Sequence, residues 1–355
     1  MDVLRQTINR IGPLDRAAMG AARERQDDLT KPRGSLGRLE DLGVLVSGIT
    51  GRVNTRLDRK TVFVLAADHG VVEEGTSLYP QEVTTQMMLN FERGGAGINV
   101  LARQVGARVV VVDVGTKADA GVLGCLISKK IAAGSKNMAV EPAMSRAEAE
   151  ASVQTGIEIL EAELSRGVDI AATGDMGIGN TTPSSAICAV LTGKPVEEVT
   201  GRGTGLDDAG LARKCAVIRK ALAVSRPDPA DPLDVLAKVG GFEIGALAGV
   251  VLAAAAHRIP LVIDGFVSGA AALIAVGLAP RVRDYLIAGH LSAEPGHLAL
   301  LRHLGLEPLL CLGMRLGEGT GACLGMSLVA AAAAIQAEMA TFQDAGVSRA
   351  RDDLN

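Results

Sequence analysis

Six short apolar runs recur along the chain, and segments with a helical pattern separate them. Each run is continuous and rich in β-branched residues, which is typical of parallel strands buried on both faces. The segments between them, such as 146–166 and 242–258, are amphipathic or Ala-rich. The alternation predicts an α/β fold with a doubly wound, mostly parallel, six-stranded sheet. The predicted strands are 61–67, 107–114, 168–172, 260–263, 285–288 and 308–312.

Every predicted strand ends in a polar turn that contains glycine. These turns are 68–70, 113–115, 174–177, 264–265, 289–290 and 313–314. In an open parallel sheet the carboxyl ends of the strands share one edge, and ligands bind there. We therefore expect the functional residues at these turns.

The two ends of the chain have a helical pattern and no convincing strand. We expect residues 1–58 to form the N-terminal helical segment of a small lobe, and 322–355 to add its C-terminal helix and a polar tail. Residues 59–321 would then form the sheet domain. The longest uncharged stretch, 319–336, is Gly- and Ala-rich and adjoins charged residues. It predicts a loop followed by a buried helix rather than a membrane span, so we expect no membrane partner.

Composition and charge exclude several classes of protein. The formal net charge is −4 and no stretch combines basic with aromatic residues, so we expect no nucleic-acid partner. The five cysteines never form a C-x-x-C pair, which is typical of a reducing compartment, and no secretory signal pattern opens the chain. We expect a cytoplasmic protein. With 2% aromatic residues and 43 glycines, its core must be packed from small aliphatic side chains.

The turn after the third predicted strand is rich in glycine and precedes a helix start. Backbone N–H groups in such a turn bind a phosphate or a ribose. The turn spans residues 174–182. The turn is neither a Walker loop, since no lysine follows its last glycine, nor a G-x-G-x-x-G motif. The alternative is a strand-to-helix turn that simply needs small residues.

A second glycine-rich turn, 316–321, places the lone carboxylate of Glu318 between glycines after the last predicted strand. Glutamate disfavours such a turn unless something uses it. Flanked by the apolar Met314 and Leu316, this carboxyl is expected to have a raised pKa and to act as a general base. The alternative is a solvated turn residue.

Residues 79–87 combine an aromatic ring, an amide and a thioether beside the end of the first strand. Tyr79, Gln86 and Met87 are the candidates for a flat slot that accepts a planar heterocycle. The alternative is that Met87 and Met88 belong to the core.

Other chemistries find little support in the sequence. Histidines and cysteines are neither clustered nor spaced as metal ligands, so we expect no metal and no cofactor, with His69 and His290 placed to line a cleft. The absence of a G-x-S-x-G elbow disfavours a serine hydrolase. Lys214 lies on a predicted helix and either neutralises a phosphate or belongs to a solvated face.

Six segments in order carry a more specific pattern. They are KPRGSLGRLE (31–40), AADHGV (66–71), YPQEVT (79–84), GDMGIGNTT (174–182), IDGF (263–266) and RLGEGTG (315–321). Together they resemble the nicotinate-nucleotide:dimethylbenzimidazole phosphoribosyltransferase family of cobalamin biosynthesis. The resemblance implies a Rossmann-like catalytic domain with a small helical lobe, a homodimer and a reaction without a metal. In that reaction nicotinate mononucleotide gives its phosphoribosyl group to 5,6-dimethylbenzimidazole, forming α-ribazole 5'-phosphate and nicotinate.

The resemblance also implies roles for particular residues. Glu318 would be the catalytic base, and Asp175 stands where the family more commonly has glutamate, so it ranks below Glu318 as a catalytic candidate. The benzimidazole is expected between Tyr79, Gln86, Met87 and Leu316. The phosphate is expected at Gly177, Ile178, Gly179 and Asn180, helped by Lys214, Arg315 and Ser292.

Two alternatives stay open at this point. A hydrolase or another transferase would use the same turns on nicotinate mononucleotide with water, or with another base such as adenine. A non-catalytic nucleotide-binding sensor on the same scaffold is the other alternative, although a sensor has no need of Glu318 in a glycine-rich turn.

Overall fold

The structure is a computed structural model of the 355-residue chain and describes residues 2–119 and 126–349. Cys125 and the end of the predicted polar tail, 350–355, lie outside the described residues. The centre of the fold is one parallel sheet of seven strands. These are β1 (Lys60–Ala67), β2 (Ala107–Gly115), β3 (Ile127–Ser128), β4 (Ile170–Met176), β5 (Leu261–Ile263), β6 (Leu286–His290) and β7 (Pro308–Leu310).

The predicted α/β fold is confirmed, but the sheet has one strand more than predicted. The six predicted runs form β1, β2 and β4 to β7. The additional strand, β3, pairs in parallel with Val112 and Asp113 of β2. It contains two residues, and both are exposed. Such a strand leaves no continuous apolar run in the sequence, because only strands buried on both faces require one.

The order of the strands places a binding crevice near the middle of the sheet. The order is β3-β2-β1-β4-β5-β6-β7. The chain runs outward from β1 to β3 and then crosses back, so that β4 pairs with the free side of β1. Ligands bind at the carboxyl ends of the strands where the order reverses in this way. Ala66 pairs with Met176 at that end of β1 and β4, so the crevice opens beside the turns that follow them.

Helices connect the strands and flank the sheet. Within the described residues they are α1 (Asp2–Arg10), α2 (Arg16–Asp28), α3 (Arg38–Thr50), α4 (Glu82–Glu92), α5 (Gly97–Val105), α6 (Arg146–Glu163), α7 (Thr181–Thr192), α8 (Val196–Val199), α9 (Asp208–Ser225), α10 (Pro232–Val239), α11 (Phe242–Ala256), α12 (Phe266–Leu278), α13 (Pro295–Leu304), α14 (Thr320–Glu338) and α15 (Phe342–Ala345). Three short 3-10 turns accompany them, Gly70–Glu74, Leu164–Arg166 and Pro280–Tyr285.

The side chains of β1 alternate between two helical layers. Phe63 and Leu65 point to the face that α6, α11 and α12 cover. Val62 and Val64 point to the opposite face, which α4, α5 and α14 cover. All four side chains are fully buried. The sheet is therefore the middle layer of three, as its continuous apolar strands predict.

Glycines bring α6 and α11 into backbone contact. A Cβ on Gly156 of α6 would lie 1.7 Å from the carbonyl oxygen of Ala246 on α11. A Cβ on Gly249 of α11 would lie 1.9 Å from the carbonyl oxygen of Val153 on α6. The two helices can approach this closely only because both positions lack a side chain. This packing explains how a chain with few aromatic residues fills its core.

Helices from the two ends of the chain pack together. α3 contacts both α2 and the C-terminal half of α14. Arg25 donates to the carbonyls of Ala337 and Met339 at the end of α14, each at 3.1 Å, which is a favourable place for a cation. The N-terminal half of α14 lies instead on the sheet, where Cys323 and Met326 are buried. The predicted domain boundaries at 58 and 322 stay a prediction.

By length and composition, α14 is long and apolar enough to cross a membrane, and among the described helices it alone meets that test. In the structure its buried residues pack on the sheet and on α3. The helix begins at Thr320, two residues before the predicted start at Ala322.

We expect Gly156→Ala to destabilise the protein, because the new methyl group would overlap the Ala246 carbonyl and force α6 and α11 apart. Overpacking of this kind costs roughly 1–3 kcal/mol, which a urea unfolding curve would measure. Gly20→Ala on α2 is the matched control, since a Cβ there has nothing within 4 Å, and it should keep or raise the midpoint. Equal midpoints for wild type and Gly156→Ala would contradict the close contact.

Candidate active site

A cleft of about 550 Å³ opens at the carboxyl edge of the sheet. The turns after β1, β4, β5, β6 and β7 line it, so it lies where the strand order reverses. Among the residues predicted from the sequence, Tyr79, Asp175, Gly177, Ile178, Gly179, Asn180, Ser292, Arg315 and Leu316 belong to its lining. Of the other four, Lys214 and Glu318 adjoin the lining residues Thr181 and Gly317, whereas Gln86 and Met87 of α4 are not part of the lining.

Two positions of the turn after β4 require glycine. The strand continues to Met176, so the turn itself is shorter than the sequence predicts. A Cβ on Gly177 would lie 2.4 Å from the carbonyl oxygen of Ala67. Gly179 has a φ of +88°, and a Cβ there would lie 2.5 Å from Val72 Cγ2. The turn therefore packs directly on the end of β1 and on the segment that follows it.

Two other residues of this turn are hydrogen-bonded within the protein. The Ile178 N–H donates to Thr84 Oγ1 of α4 at 3.1 Å, and the Asn180 side chain donates to Asp175 Oδ2 at 2.8 Å. The Ile178 amide, predicted to hold a phosphate, is therefore already paired with α4. At Gly177 and Gly179, by contrast, the packing leaves no room for a side chain.

Residues 317–319 form a left-handed turn. Their φ angles are +85° at Gly317, +61° at Glu318 and +87° at Gly319. A residue with a side chain costs about 1–2 kcal/mol in this conformation. Such strain persists where the surrounding structure holds it, and it is concentrated at functional sites.

The Glu318 side chain points away from bulk solvent. The residue is 5% exposed, which contradicts the alternative of a solvated turn residue. Its Oε2 accepts the N–H of Ile98 at 3.0 Å, in the first turn of α5. Burial raises the pKa of this carboxyl, while hydrogen bonds from the N–H groups of Ile98 and Gly97 oppose the rise. The carboxylate thus lies beside the cleft, at the positive end of α5.

Two further carboxyls are buried near the cleft. Burial raises the pKa of Asp175 to about 8, and the charges of Asp264, Glu243 and Glu318 add to the rise. Asp264, directly after β5, is fully buried, and burial raises its pKa to about 7. Asp175 is therefore largely protonated at neutral pH. Across residues 2–119 and 126–349, no group of three or more His, Cys, Asp and Glu side chains is placed to hold a metal ion.

The two histidines expected at the cleft occupy different places. His290 lines it, and burial lowers its pKa. His69 is fully buried, and a Cβ on Gly177 would lie 3.2 Å from its Nε2. That Nε2 lies 2.9 Å from Glu243 Oε1. Burial opposes the charged form of His69, but the Glu243 carboxylate raises its pKa above the ordinary value.

Two cations border the wall of the cleft that residues 201–205 form. Lys214 is fully buried, which contradicts a solvated face, and its Nζ donates to Thr181 Oγ1 at 2.7 Å. Burial lowers its pKa to about 8, although the nearby Glu294 opposes this. Arg315 Nη1 donates to the carbonyl oxygen of Gly203 at 2.9 Å. Thr181 and Gly203 line the cleft, so both cations adjoin its surface.

Of the four residues predicted to form a slot for a planar ring, Tyr79 and Leu316 line the cleft. Tyr79 and Leu316 are exposed there by 53% and 61%. On α4, Gln86 is exposed and Met87 is half-buried at the edge of the core. Met88 is fully buried, so the core alternative holds for Met88.

Sequence reasoning missed three acidic residues of this region, Glu243, Asp264 and Glu294. Glu294 lines the cleft and accepts the N–H of Gly203 at 3.1 Å. A signal for Asp264 was available, because Asp68 and Asp264 each directly follow a strand and Asp113 lies near the end of another. Aspartates that recur at the carboxyl ends of parallel strands indicate that their side chains bind backbone N–H groups of the adjoining turns.

An open parallel sheet with a glycine-lined cleft at its crossover point, bordered by a buried lysine, an exposed arginine and buried carboxyls, defines an α/β protein of the nucleotide-binding class. A family model described as phosphoribosyltransferase matches residues 11–347. A protein from Desulforudis audaxviator (strain MP104C) named nicotinate-nucleotide–dimethylbenzimidazole phosphoribosyltransferase is 90% identical over 353 residues, which are 99% of this chain and 100% of that protein. A protein of that name from Roseiflexus sp. (strain RS-1) is 63% identical over 98% of this chain and 99% of its own length.

The fold agrees with a solved structure of that name. The crystal structure of the enzyme from Thermus thermophilus matches with a TM-score of 0.90 at 48% identity, covering 95% of this chain and 100% of that one. The chain belongs to the nicotinate-nucleotide–dimethylbenzimidazole phosphoribosyltransferase family, which confirms the resemblance carried by the six sequence segments.

We expect the contribution of Asp175 to the stability of the protein to fall as the pH rises from about 4 to about 8. In this window folded Asp175 keeps a proton that a carboxyl with the ordinary pKa of 3.8 has released in the unfolded chain, so raising the pH favours unfolding. Asp175→Asn removes this dependence and keeps an oxygen for Asn180. Its melting temperature, relative to wild type, should therefore be higher at about pH 8.5 than at about pH 5.

Asp231→Asn is the control for this measurement. The hydrogen bond from Arg146 lowers the pKa of Asp231, so this carboxyl is ionised at both pH values and its replacement should shift the melting temperature equally at both. A difference between Asp175→Asn and wild type that does not grow with pH would mean that folded Asp175 is ionised.

Proposed function

We propose that the protein transfers the phosphoribosyl group of nicotinate mononucleotide to 5,6-dimethylbenzimidazole, giving α-ribazole 5'-phosphate and nicotinate, in the assembly of the lower-ligand nucleotide of cobalamin. The relatives that are 90% and 63% identical bear the name of this activity. The structural observation that supports it most is the Glu318 carboxylate, buried beside the cleft on a left-handed turn. A strained, desolvated carboxylate at this position suits a base rather than a surface residue.

The donor substrate needs little help to lose its base. A pyridinium is already attached to C1' of nicotinate mononucleotide, so when that bond breaks its electron pair stays on the ring nitrogen, which leaves uncharged. One nitrogen of the benzimidazole forms the new bond to C1' from the opposite face, which inverts the centre from β to α. The proton on its second nitrogen must then be removed.

Glu318 is the acceptor of that proton in our proposal. The N–H groups of Gly97 and Ile98 hold it beside the acceptor ring, and burial raises its pKa toward that of a useful base. Its negative charge also stabilises the oxocarbenium-like charge that develops on the ribose. Proton removal by a placed base contributes about 10² to 10⁴ in rate, and alignment of the two rings across one ribose contributes further.

We assign the phosphate end of the cleft to the turn after β4. Gly177, Gly179 and Asn180 line this end, and Gly177 and Gly179 offer backbone N–H groups near the start of α7. The Asn180 N–H donates to the carbonyl oxygen of Gly177 at 3.1 Å. Lys214 supports it through Thr181, whose hydroxyl oxygen accepts from the buried ammonium. Arg315 and Ser292 complete the polar lining, whereas the Ile178 amide is paired with Thr84.

The acceptor ring is assigned to the mouth of the cleft, between Tyr79, Gln86, Met87 and Leu316. Tyr79 and Leu316 present exposed apolar surface there, which a flat bicyclic ring would cover. The adjacent Glu318 is close to Leu316, since a Cβ on Gly97 would meet Leu316 Cδ2 at 3.0 Å and Glu318 Oε2 at 3.3 Å. Asp175 ranks below Glu318 as a catalytic residue, because its pKa of about 8 leaves it protonated at neutral pH.

We expect Glu318→Gln to lower turnover by about two orders of magnitude or more, because glutamine keeps the shape of the side chain but cannot take a proton. Nicotinate mononucleotide should still bind with nearly unchanged affinity. The assay incubates the protein with both substrates and quantifies nicotinate and the benzimidazole riboside phosphate by chromatography. Glu307→Gln, on an exposed glutamate, is the matched control and should retain full turnover.

The same assay separates the alternatives. Equal amounts of nicotinate and riboside phosphate from the wild type support the transferase, whereas nicotinate alone indicates a hydrolase. Neither product, with nicotinate mononucleotide still bound, indicates a sensor. Unchanged turnover in Glu318→Gln contradicts the assignment of the base.

The proposal includes a homodimer. Leu78, Val100 and Leu312 expose large apolar side chains outside the slot assigned to the acceptor ring, and apolar surface of this kind is typical of interfaces. Light scattering at micromolar concentration should give about twice the 36.5 kDa of one chain. A mass equal to one chain would contradict the dimer.

We also place the protein in the cytoplasm. Cys188, Cys215, Cys311 and Cys323 are free thiols in the structure. Unpaired cysteines are typical of a reducing compartment. Recovery of the protein in a periplasmic or extracellular fraction would contradict this placement.

A further inference from the structure

The turn that carries Glu318 lacks a cap of its own. α14 begins directly after it, and its N-cap residue is Gly319, which has no side chain to accept the first N–H groups of the helix. An uncapped helix start leaves several backbone donors unpaired. Three consecutive left-handed residues at the same place add strain. Something outside the turn must hold it.

Asp264 supplies the missing cap from a neighbouring strand. Its Oδ2 accepts the N–H of Gly319 at 3.2 Å, and its Oδ1 accepts the N–H of Ala322 at 2.9 Å. Asp264 follows β5 and precedes this turn by more than 50 residues, so the contact is tertiary. Both carboxylate oxygens are used by the turn and the helix that carry Glu318, and the residue is fully buried.

The turn also rests on β1 and β4. A Cβ on Gly174 would lie 2.5 Å from the carbonyl oxygen of Glu318, and a Cβ on Gly319 would lie 2.7 Å from Val62 Cγ1. The turn therefore cannot move closer to β1 and β4. The carboxyl of Asp264 stops it from moving away, because that movement would break both hydrogen bonds and leave buried polar groups unpaired.

We propose that Asp264 is a positioning residue for the transfer reaction, whose carboxylate anchors the left-handed turn and thereby fixes the Glu318 side chain at the acceptor base. This inference rests on the proposed function, in which Glu318 takes the proton. Asp264 is outside the lining of the cleft and fully buried, so it acts through Glu318 and not on a substrate. The groups that face it are His290, whose Nε2 is 3.6 Å from Oδ1, and the buried Asp175 and Cys323.

The test is a double-mutant cycle between Asp264→Asn and Glu318→Gln. Asparagine keeps one acceptor oxygen but turns an NH₂ group toward the second backbone N–H. We expect Asp264→Asn alone to lower kcat about tenfold or more while KM for nicotinate mononucleotide stays within about twofold. In the Glu318→Gln background the same change should lower the residual kcat by less than about twofold, because the positioned group is already gone.

Asp113→Asn is the matched control. Asp113 is a buried carboxylate at the same edge of the sheet, and it accepts the N–H groups of Gly115 and Thr116 at 3.0 and 2.8 Å. Its replacement keeps an acceptor oxygen for both N–H groups but removes the buried charge that pairs with Lys130 Nζ at 3.3 Å. It should therefore lower the melting temperature but leave kcat unchanged, because Asp113 does not touch the Glu318 turn.

Two results would overturn the inference. One is a folded Asp264→Asn protein with wild-type kcat, and the other is an equal loss of kcat in both backgrounds, which would indicate general destabilisation. If Asp264→Asn does not fold, Asp264→Glu replaces it in the cycle, since it keeps the charge but displaces the oxygens, and the same pattern is expected. Unchanged turnover in Glu318→Gln alone is a separate result that overturns the proposed base.

Discussion

The geometry of the candidate site depends on one backbone contact, that of β4 at Gly174 with the turn at Glu318. A Cβ on Gly174 would lie 2.5 Å from the Glu318 carbonyl oxygen, so the contact exists only because the strand has no side chain there. The sheet is covered by helices on both faces. A carboxylate on a turn that packs against this sheet is held in one position, as catalysis by positioning requires.

The acidic groups at the sheet edge are stabilised mainly by backbone N–H groups. Asp264 accepts from Gly319 and Ala322, and Glu318 accepts from Ile98. Asp175 has a side-chain amide as its partner and has a pKa of about 8. Burial raises the pKa of all three carboxyls, while the backbone N–H groups oppose the rise at Asp264 and Glu318. Because the amides belong to turns and helix starts, the charge state of the site and the conformation of its loops depend on each other.

The sequence predicted those parts of the site that follow directly from a strand end. The glycines after β4, together with Ser292, Arg315 and Leu316, line the cleft because the carboxyl ends of parallel strands must share one edge. The contacts of Lys214 and Asp264 could not be predicted in this way. Lys214 has the sequence pattern of a surface residue on an amphipathic helix, yet it is fully buried against Thr181. The two hydrogen bonds of Asp264 reach a turn more than 50 residues further along the chain. No local pattern encodes either contact.

The sequence by itself determined the α/β class, six of the seven strands, the edge that carries the site and the family. Each of these follows from local pattern, since buried strands need apolar runs and tight turns need glycine. The tertiary structure alone decided that β3 exists, that Glu318 is buried against α5, and that Asp264 caps α14. These features depend on contacts between segments that are distant in sequence, and the burial, pKa and strain of the site residues result from those contacts.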